Sequence, residues 1–192
     1  GDENLYQISA KKNLSTLQTV NCKTVVANCP HCFNALENEY PQIRPWPEGV
    51  RIVHHTVFIQ ELLSKGRISV TPQALDKVTY HDPCYLGRYN DVYEEPRDLL
   101  VQIGAPKVRE IAASREKGLC CGAGGGHFWM DMKVGERVNV LRINQAADTG
   151  ASIVATACPF CLQMMEDGAK LTNREDELQV RDLAELVADG LM

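Results

Sequence analysis

The sequence has no excess of basic residues and no long apolar run, and each shortfall removes a class of function. Lys and Arg number 20 against 25 Asp and Glu, a formal net charge of -5. Nucleic acid binding wants a basic stripe along the surface, and Lys11 and Lys12 are only a pair, so nucleic acid is excluded as the main partner. No stretch approaches the roughly 18 consecutive apolar residues that cross a bilayer. The opening residues also lack the basic-then-apolar pattern of a secretory signal. The expectation is a cytoplasmic protein with no direct membrane insertion of its own, reaching the cytoplasmic face of a membrane only through a larger protein. With 192 residues, 44% of them hydrophobic, the chain can bury one substantial core or two small ones.

Cysteine, by contrast, is plentiful. Cys22, Cys29, Cys32, Cys84, Cys120, Cys121, Cys158 and Cys161 are far more than packing needs in a reducing compartment. Such clustering points to metal or redox chemistry rather than a disulfide framework.

An internal repeat organises these residues. "VVANCPHCFNALE" and "VATACPFCLQMME" superpose at an offset of 129 residues, each with a β-branched run, then Cys-Pro-x-Cys, then a helical pattern. Downstream, "VRIVHHTVFIQELLSKG" and "LQVRDLAELVADG" both read as a short strand and a helix. Upstream, "ENLYQISAKKNLSTLQ" and "VGERVNVLRINQAADTG" are both helical, the first with Leu5, Ile8, Leu14 and Leu17 on one face. The unit is helix, strand, CPxC, helix, strand, helix. Only the second copy is preceded by a further block: a strand in "KVTYHDPC", a helix in "PRDLLVQIG", a short strand in "KVREIA" and the loop "LCCGAGGG". The expected fold is α/β, two pseudo-symmetric Rossmann-like lobes with mainly parallel sheets. Residues 1–75 would form the later part of a first module and residues 76–192 a complete second one.

In the second copy, 35 residues separate Cys84 from the Cys120-Cys121 pair, and 36 more precede Cys158-x-x-Cys161. Each thiol sits where a strand gives way to a loop or helix, and in a parallel sheet those places gather at the carboxyl edge. A CxxC at a helix start directs sulfur toward free N-H groups and a dipole that favour thiolate. Gly122, Gly124, Gly125 and Gly126 supply positive φ, close approach and N-H groups that can point at sulfides or an anionic substrate. Five thiols exceed the four of a structural zinc site, so an iron-sulfur cluster used for one-electron transfer fits the count better.

"HDPCYLGRYN", "CCGAGGGHFWMD" and "VATACPFCLQMMEDG", in that order and spacing, resemble the cysteine-rich CCG domain of the heterodisulfide reductase B-subunit family. Among its relatives, the wording looks closest to the membrane-linked iron-sulfur oxidoreductases that accept electrons from electron-transfer flavoprotein. The resemblance implies an iron-sulfur oxidoreductase subunit or domain. It implies a non-cubane [4Fe-4S] cluster on Cys84, Cys120, Cys121, Cys158 and Cys161, and two such modules per full-length protein. Electrons would pass between a flavoprotein or similar donor and a quinone, disulfide or further redox centre, with other redox subunits or the rest of the full-length protein as partners. Copy one departs from the pattern: Cys29 and Cys32 match the closing CxxC, while its early cysteine and cysteine pair are missing, leaving a half-site that is empty, oxidised to a disulfide or filled by zinc.

Competing readings use the same residues. A zinc-stabilised interaction module would have no redox turnover. A thioredoxin-like dithiol would work through Cys29 and Cys32, and buried structural thiols would do no chemistry. A dinucleotide fingerprint fails in "GAGGGH", where His127 takes the third glycine's place. His127, leaving the glycine loop, is the candidate to donate to a sulfur or a substrate. His31, His54, His55 and His81 read as strand-end or helix-start residues in contact with water, Phe128 and Trp129 as core or interface packing, and Cys22 as an ordinary packed thiol. Asp82 and Arg88 flank Cys84 and either orient its loop or serve a simple turn.

Overall fold

A computed structural model describes residues 2–130 and 135–192. Val134, at the start of the expected upstream helix, and Asp131, at the end of the glycine-loop motif, lie outside them. The chain order bears out the repeat. Copy one runs α1 (Glu3–Thr19), β1 (Thr24–Ala27), α2 (Pro30–Asn34), α3 (Tyr40–Ile43), β2 (Arg51–His54) and α4 (His55–Ser64). Next come β3 (Val78–Tyr80), α5 (Cys84–Gly87) and α6 (Glu94–Gln102). Copy two follows as α7 (Val138–Ala147), β4 (Ile153–Thr156), α8 (Pro159–Leu171), β5 (Gln179–Asp182) and α9 (Leu183–Asp189).

All named strand pairs are parallel. β1 pairs with β2 from Thr24↔Arg51 to Ala27↔His54, and β4 with β5 from Ile153↔Gln179 to Thr156↔Asp182. β3 lies on the other side of β4, giving the order β3-β4-β5. Ala27 and Thr156 are thus equivalent strand ends. Two residues beyond each, Cys29 and Cys158 occupy the N-cap with extended backbone, followed by Pro30 and Pro159 at the first helical position, where a missing N-H costs nothing.

The three-stranded sheet is covered on both faces, as side-chain alternation requires. Val78, Tyr80 and Ala155 face a cluster containing Leu99, Leu100, Leu183 and Leu186. Val154 and Val180 face Ile111, Ile143 and Met165. Phe33 of α2 and Ile59 and Leu63 of α4 pack onto the first of these clusters, so the two copies share apolar contacts and the carboxyl ends of their sheets face a common region.

Three local expectations change. The α1 stripe is rotated: Ala10 and Leu14 are fully buried against Tyr40, with Tyr6 beside them, whereas Leu5 and Ile8 are 62% and 65% exposed. Tyr6, Ala10 and Leu14 recur every four residues along one face, which Leu5 and Ile8 do not share. "KVREIA" makes a single parallel bridge, Arg109 to Thr79, rather than a strand. Pro106 cannot donate to a ladder, and the Thr79 hydroxyl donates to the Arg109 carbonyl. The helix after Cys32 passes into a π-helical segment, Ala35–Glu39, ahead of Pro41. Proline lacks the N-H and would clash with the carbonyl four residues back, so a wider turn accommodates it. Copy two has no proline there, and α8 runs unbroken for 13 residues.

Candidate metal centre

The fold gathers the thiols into one row. Cys84, opening α5, lies beside Cys120, and Cys120 beside Cys121. Cys121 reaches Cys161, Cys161 reaches Cys158, and Cys158 reaches Cys29 of the other copy, which contacts Cys32. Cys121, Cys158 and Cys161 are buried, Cys84 and Cys120 half-buried, Cys32 exposed. Cys29 and Cys158 form a further group with His31, their ligand atoms within 4.8 Å of one another, and Cys29 Sγ lies 3.6 Å from His31 Nδ1. Cys22 stands apart, half-buried beside Trp46 in a cavity of about 410 Å³.

Backbone N-H groups point into this row. Gly122 N-H donates to Cys120 Sγ at 3.4 Å, and those of Gly124 and Ala123 reach Cys120 and Cys121. The first turn of α8 offers the N-H groups of Phe160 and Cys161 to Cys158, and α5 offers that of Tyr85 to Cys84. Gly122 permits this at φ 95, a conformation closed to most side chains. Gly125 and Gly126 follow at φ 65 and 80, whereas Gly124, expected to share that conformation, has no positive φ. A Cβ on Gly124 or Gly125 would meet nothing within 4 Å, so the close approach expected of all four glycines falls at Gly122.

Shared protons split the thiols into two kinds. Hydrogen bonds from Cys161 and Cys29 hold Cys158 down at about 4, against the opposition of burial. Bonds from Cys121 and Cys84 hold Cys120 far below the usual thiol range. Their partners keep the protons: the bond to Cys120 lifts Cys121 to about 12, and the bond to Cys158 lifts Cys29 to about 11. Cys84, through its bond to Cys120, and Cys161, through its bonds to Cys121 and Cys158, are raised further. Two thiolates stabilised by N-H groups and flanked by protonated thiols form an all-sulfur donor set. A metal ion supplies the positive charge that lets every member ionise, so the residues present fit an iron-sulfur group.

The histidines differ from expectation. His54 and His81 are fully buried and His55 nearly so: His54 and His55 are covered where the copies meet, by Ala157 and Asp182, and His81 lies beneath Arg142 of α7. Burial, then the neighbouring His55, pushes His54 down to about 3. Burial, then the charge of Arg142, does the same to His81. A ring nitrogen of His81 lies within 4.8 Å of the sulfurs of Cys121 and Cys161. Nothing about a lone histidine in "YHDPC" marks it for this position. His127 is exposed and lines a small pocket of about 130 Å³ with Gly122 and Met164. Phe128 packs edge-on to Phe160 beside the buried cysteines, while Trp129 is 70% exposed.

Two arginines fix the Cys84 loop. Asp82 accepts both Nη groups of Arg97 at 2.8 and 3.0 Å and the backbone N-H of Arg115 at 2.8 Å. Arg97 also grips Glu110 at 2.7 and 2.9 Å and lies 5.1 Å over the Tyr80 ring. Arg88 donates to the carbonyls of Glu116 and Gly118, tying the loop after Cys84 to the segment before Cys120.

Fold and site together define a cysteine-rich α/β domain whose thiols meet at the carboxyl ends of parallel strands. Residues 1–37 and 78–166 match the CCG cysteine-rich domain, and the chain belongs to that family. Over 192 residues it is 40% identical to a Bacillus subtilis protein named as a probable iron-sulfur-binding oxidoreductase, FadF, covering all of this chain and 27% of the relative. It is 37% identical over 194 residues to the EtfAB:quinone oxidoreductase of Syntrophomonas wolfei, covering 97% of this chain and 27% of that protein. A third relative, from Methanosarcina acetivorans, is one of the subunits of a dihydromethanophenazine:CoB--CoM heterodisulfide reductase. It is 35% identical over 183 residues, 95% of this chain and 44% of the relative. The chain thus spans less than half the length of these relatives. Among its described residues no helix is long and apolar enough to cross a membrane.

Proposed function

We propose that the chain is an iron-sulfur electron-transfer module of an oxidoreductase. Cys84, Cys120, Cys121, Cys158 and Cys161 hold one [4Fe-4S] cluster of the non-cubane kind. The observation that carries this reading is the unbroken run of neighbouring sulfurs from Cys84 through Cys120, Cys121 and Cys161 to Cys158, delivered by three separate chain segments. When bound, the cluster supplies a one-electron centre whose potential depends on hydrogen bonds to sulfur and on burial. The chain's own residues do the rest. The N-H groups around Gly122 and Gly124 hold sulfur charge at the loop, Gly122 keeps the backbone close, Gly125 supplies the left-handed turn that follows, α8 holds sulfur charge at Cys158, and the Asp82 to Arg97 pair anchors the segment leading into Cys84. His127, exposed beside the small pocket it lines with Gly122, is open to an arriving substrate or partner.

In this reading residues 76–192 are a complete CCG module and residues 1–75 the closing part of another, with Cys29 and Cys32 its half-site. The electron donor is a flavoprotein, electron-transfer flavoprotein by analogy with the relatives' names, and the acceptor a quinone, a disulfide or a further redox centre. Membrane association comes through a larger protein.

A second reading, a zinc-stabilised interaction module, draws on the Cys29, His31 and Cys158 group, which offers two thiols and an imidazole across the copies. Iron and acid-labile sulfide analysis of protein expressed with cluster-assembly support and purified anaerobically separates the two. Iron and sulfide in near-equal amounts support the electron-transfer module; stoichiometric zinc without sulfide overturns it.

A further inference from the structure

His81 and Arg142 form a fully buried pair beside the row of thiols. Arg142 Nε donates to His81 Nδ1 at 2.9 Å, and its Nη1 is occupied by the Ala113 carbonyl at 2.8 Å and Gln145 Oε1 at 3.0 Å. His81 Nε2 and Arg142 Nη2 are buried with no hydrogen-bond partner among the described residues. A guanidinium only donates, so Nδ1 must present its lone pair. A neutral imidazole in that position carries its proton on Nε2. A buried N-H without an acceptor is costly, and the sulfurs of Cys121 and Cys161 lie within 4.8 Å of the ring.

We propose that Arg142 is a positioning residue that holds His81 in the Nε2-H tautomer, and that this N-H donates to the sulfur at Cys121 and Cys161, favouring the reduced state of the centre. The inference rests on the reading that these cysteines hold a cluster. The step is the gain of one electron from an electrode or chemical reductant, and the proton stays on Nε2 throughout. An N-H directed at sulfur stabilises added negative charge, as does the nearby guanidinium, so losing either makes the centre harder to reduce.

The tautomer is read first, in cluster-free wild-type protein with ¹⁵N-labelled histidine, the His81 signal being assigned by its loss in His81→Gln. The expected result is a proton on Nε2, a bare Nδ1, and a shifted Nε2-H resonance in Cys161→Ser. A proton on Nδ1, a doubly protonated ring, or no response to Cys161→Ser overturns the proposal, whether or not the protein binds iron.

The potential is then measured on cluster-loaded protein. His81→Leu should change the oxidised-to-reduced ratio at a fixed electrode potential about tenfold toward oxidised, or about 59 mV for a one-electron couple. His81→Gln, whose amide N-H reaches the Nε2 position, should recover at least half of that shift, and Arg142→Met should move the same way as His81→Leu. An unchanged potential in His81→Leu, or a His81→Gln value no nearer wild type, refutes donation to the centre. Should His81→Leu fail to fold, His81→Gln against Arg142→Met decides. Absence of iron from the wild type would instead refute the proposed function, with the tautomer result standing separately.

Discussion

Removing the Asp82 carboxylate tests how the Cys84 loop is held. Asp82 and Arg97 expose only 4% and 6% of their side chains, and Asp82 takes three hydrogen bonds, two from the guanidinium and one from Arg115 N-H. Breaking a buried pair from one side leaves an uncompensated charge and costs about 3–5 kcal/mol. Glu110 remains on Arg97, so Asp82→Ala should fall toward the lower end, near ~3 kcal/mol. In a chain of this size that lowers Tm by roughly 6–12 °C, at 2–4 °C per kcal/mol. Arg97→Met strands Asp82 with one N-H and should cost at least as much. The double variant should lose clearly less than the two single losses combined, since both desolvated charges are gone. Urea unfolding followed by circular dichroism measures all three. A loss below about 1 kcal/mol for Asp82→Ala, the range of an exposed pair, or strict additivity in the double variant would refute this account.

Acid should destabilise the protein through His54. Its folded pKa near 3 lies below the ordinary value of 6.5, so the unfolded chain takes the proton first and stability falls as pH drops from 6.5 toward 3. The His54 share is about 1.4 kcal/mol per pH unit, and His54→Gln should flatten the urea-midpoint profile by that amount; an unchanged profile contradicts the buried neutral ring. In cluster-free reduced protein, thiolate ultraviolet absorbance should persist in acid because Cys158 sits near 4 rather than 9.0. Its stabilising contribution is full above pH 9 and lost as pH falls through 4; Cys158→Ser should remove a thiolate step near pH 4, and titration of all thiols above pH 8 would contradict the hydrogen-bonded row. Gly122→Ala should cost about 1–3 kcal/mol and weaken iron retention, because φ is 95 and the new Cβ would lie 3.2 Å from Val138 Cβ. Gly126→Ala, with its nearest neighbour at 4.0 Å, should show only the left-handed backbone cost of about 1–2 kcal/mol and leave iron retention unchanged.

Much of the fold was legible because the repeat supplies its own control: two copies of strand, Cys-Pro-x-Cys and helix constrain each other, and both proved parallel with cysteine at the N-cap. The convergence of Cys84, Cys120, Cys121, Cys158 and Cys161 followed from strand ends meeting at one edge. What sequence missed lies in contacts between distant segments. Arg142 and His81 are 61 residues apart, and an arginine on an amphipathic helix reads as a solvent-facing residue until the site that buries it is built. His54 and His55 read as wetted helix-start residues because what covers them arrives about a hundred or more positions later: Ala157 over His54 and Asp182, whose Oδ1 stands 3.3 Å from His55 Nε2. The approach of Cys29 to Cys158 was invisible for the same reason, since periodicity describes each copy but not how two copies face each other.

The most direct measurement is anomalous scattering at the iron edge from crystals of anaerobically purified protein. Iron atoms within bonding distance of Cys84, Cys120, Cys121, Cys158 and Cys161, with bridging sulfide between them, are the expected result. A lone zinc, or iron bound elsewhere with Cys84 and Cys120 outside bonding reach of it, would contradict the assignment.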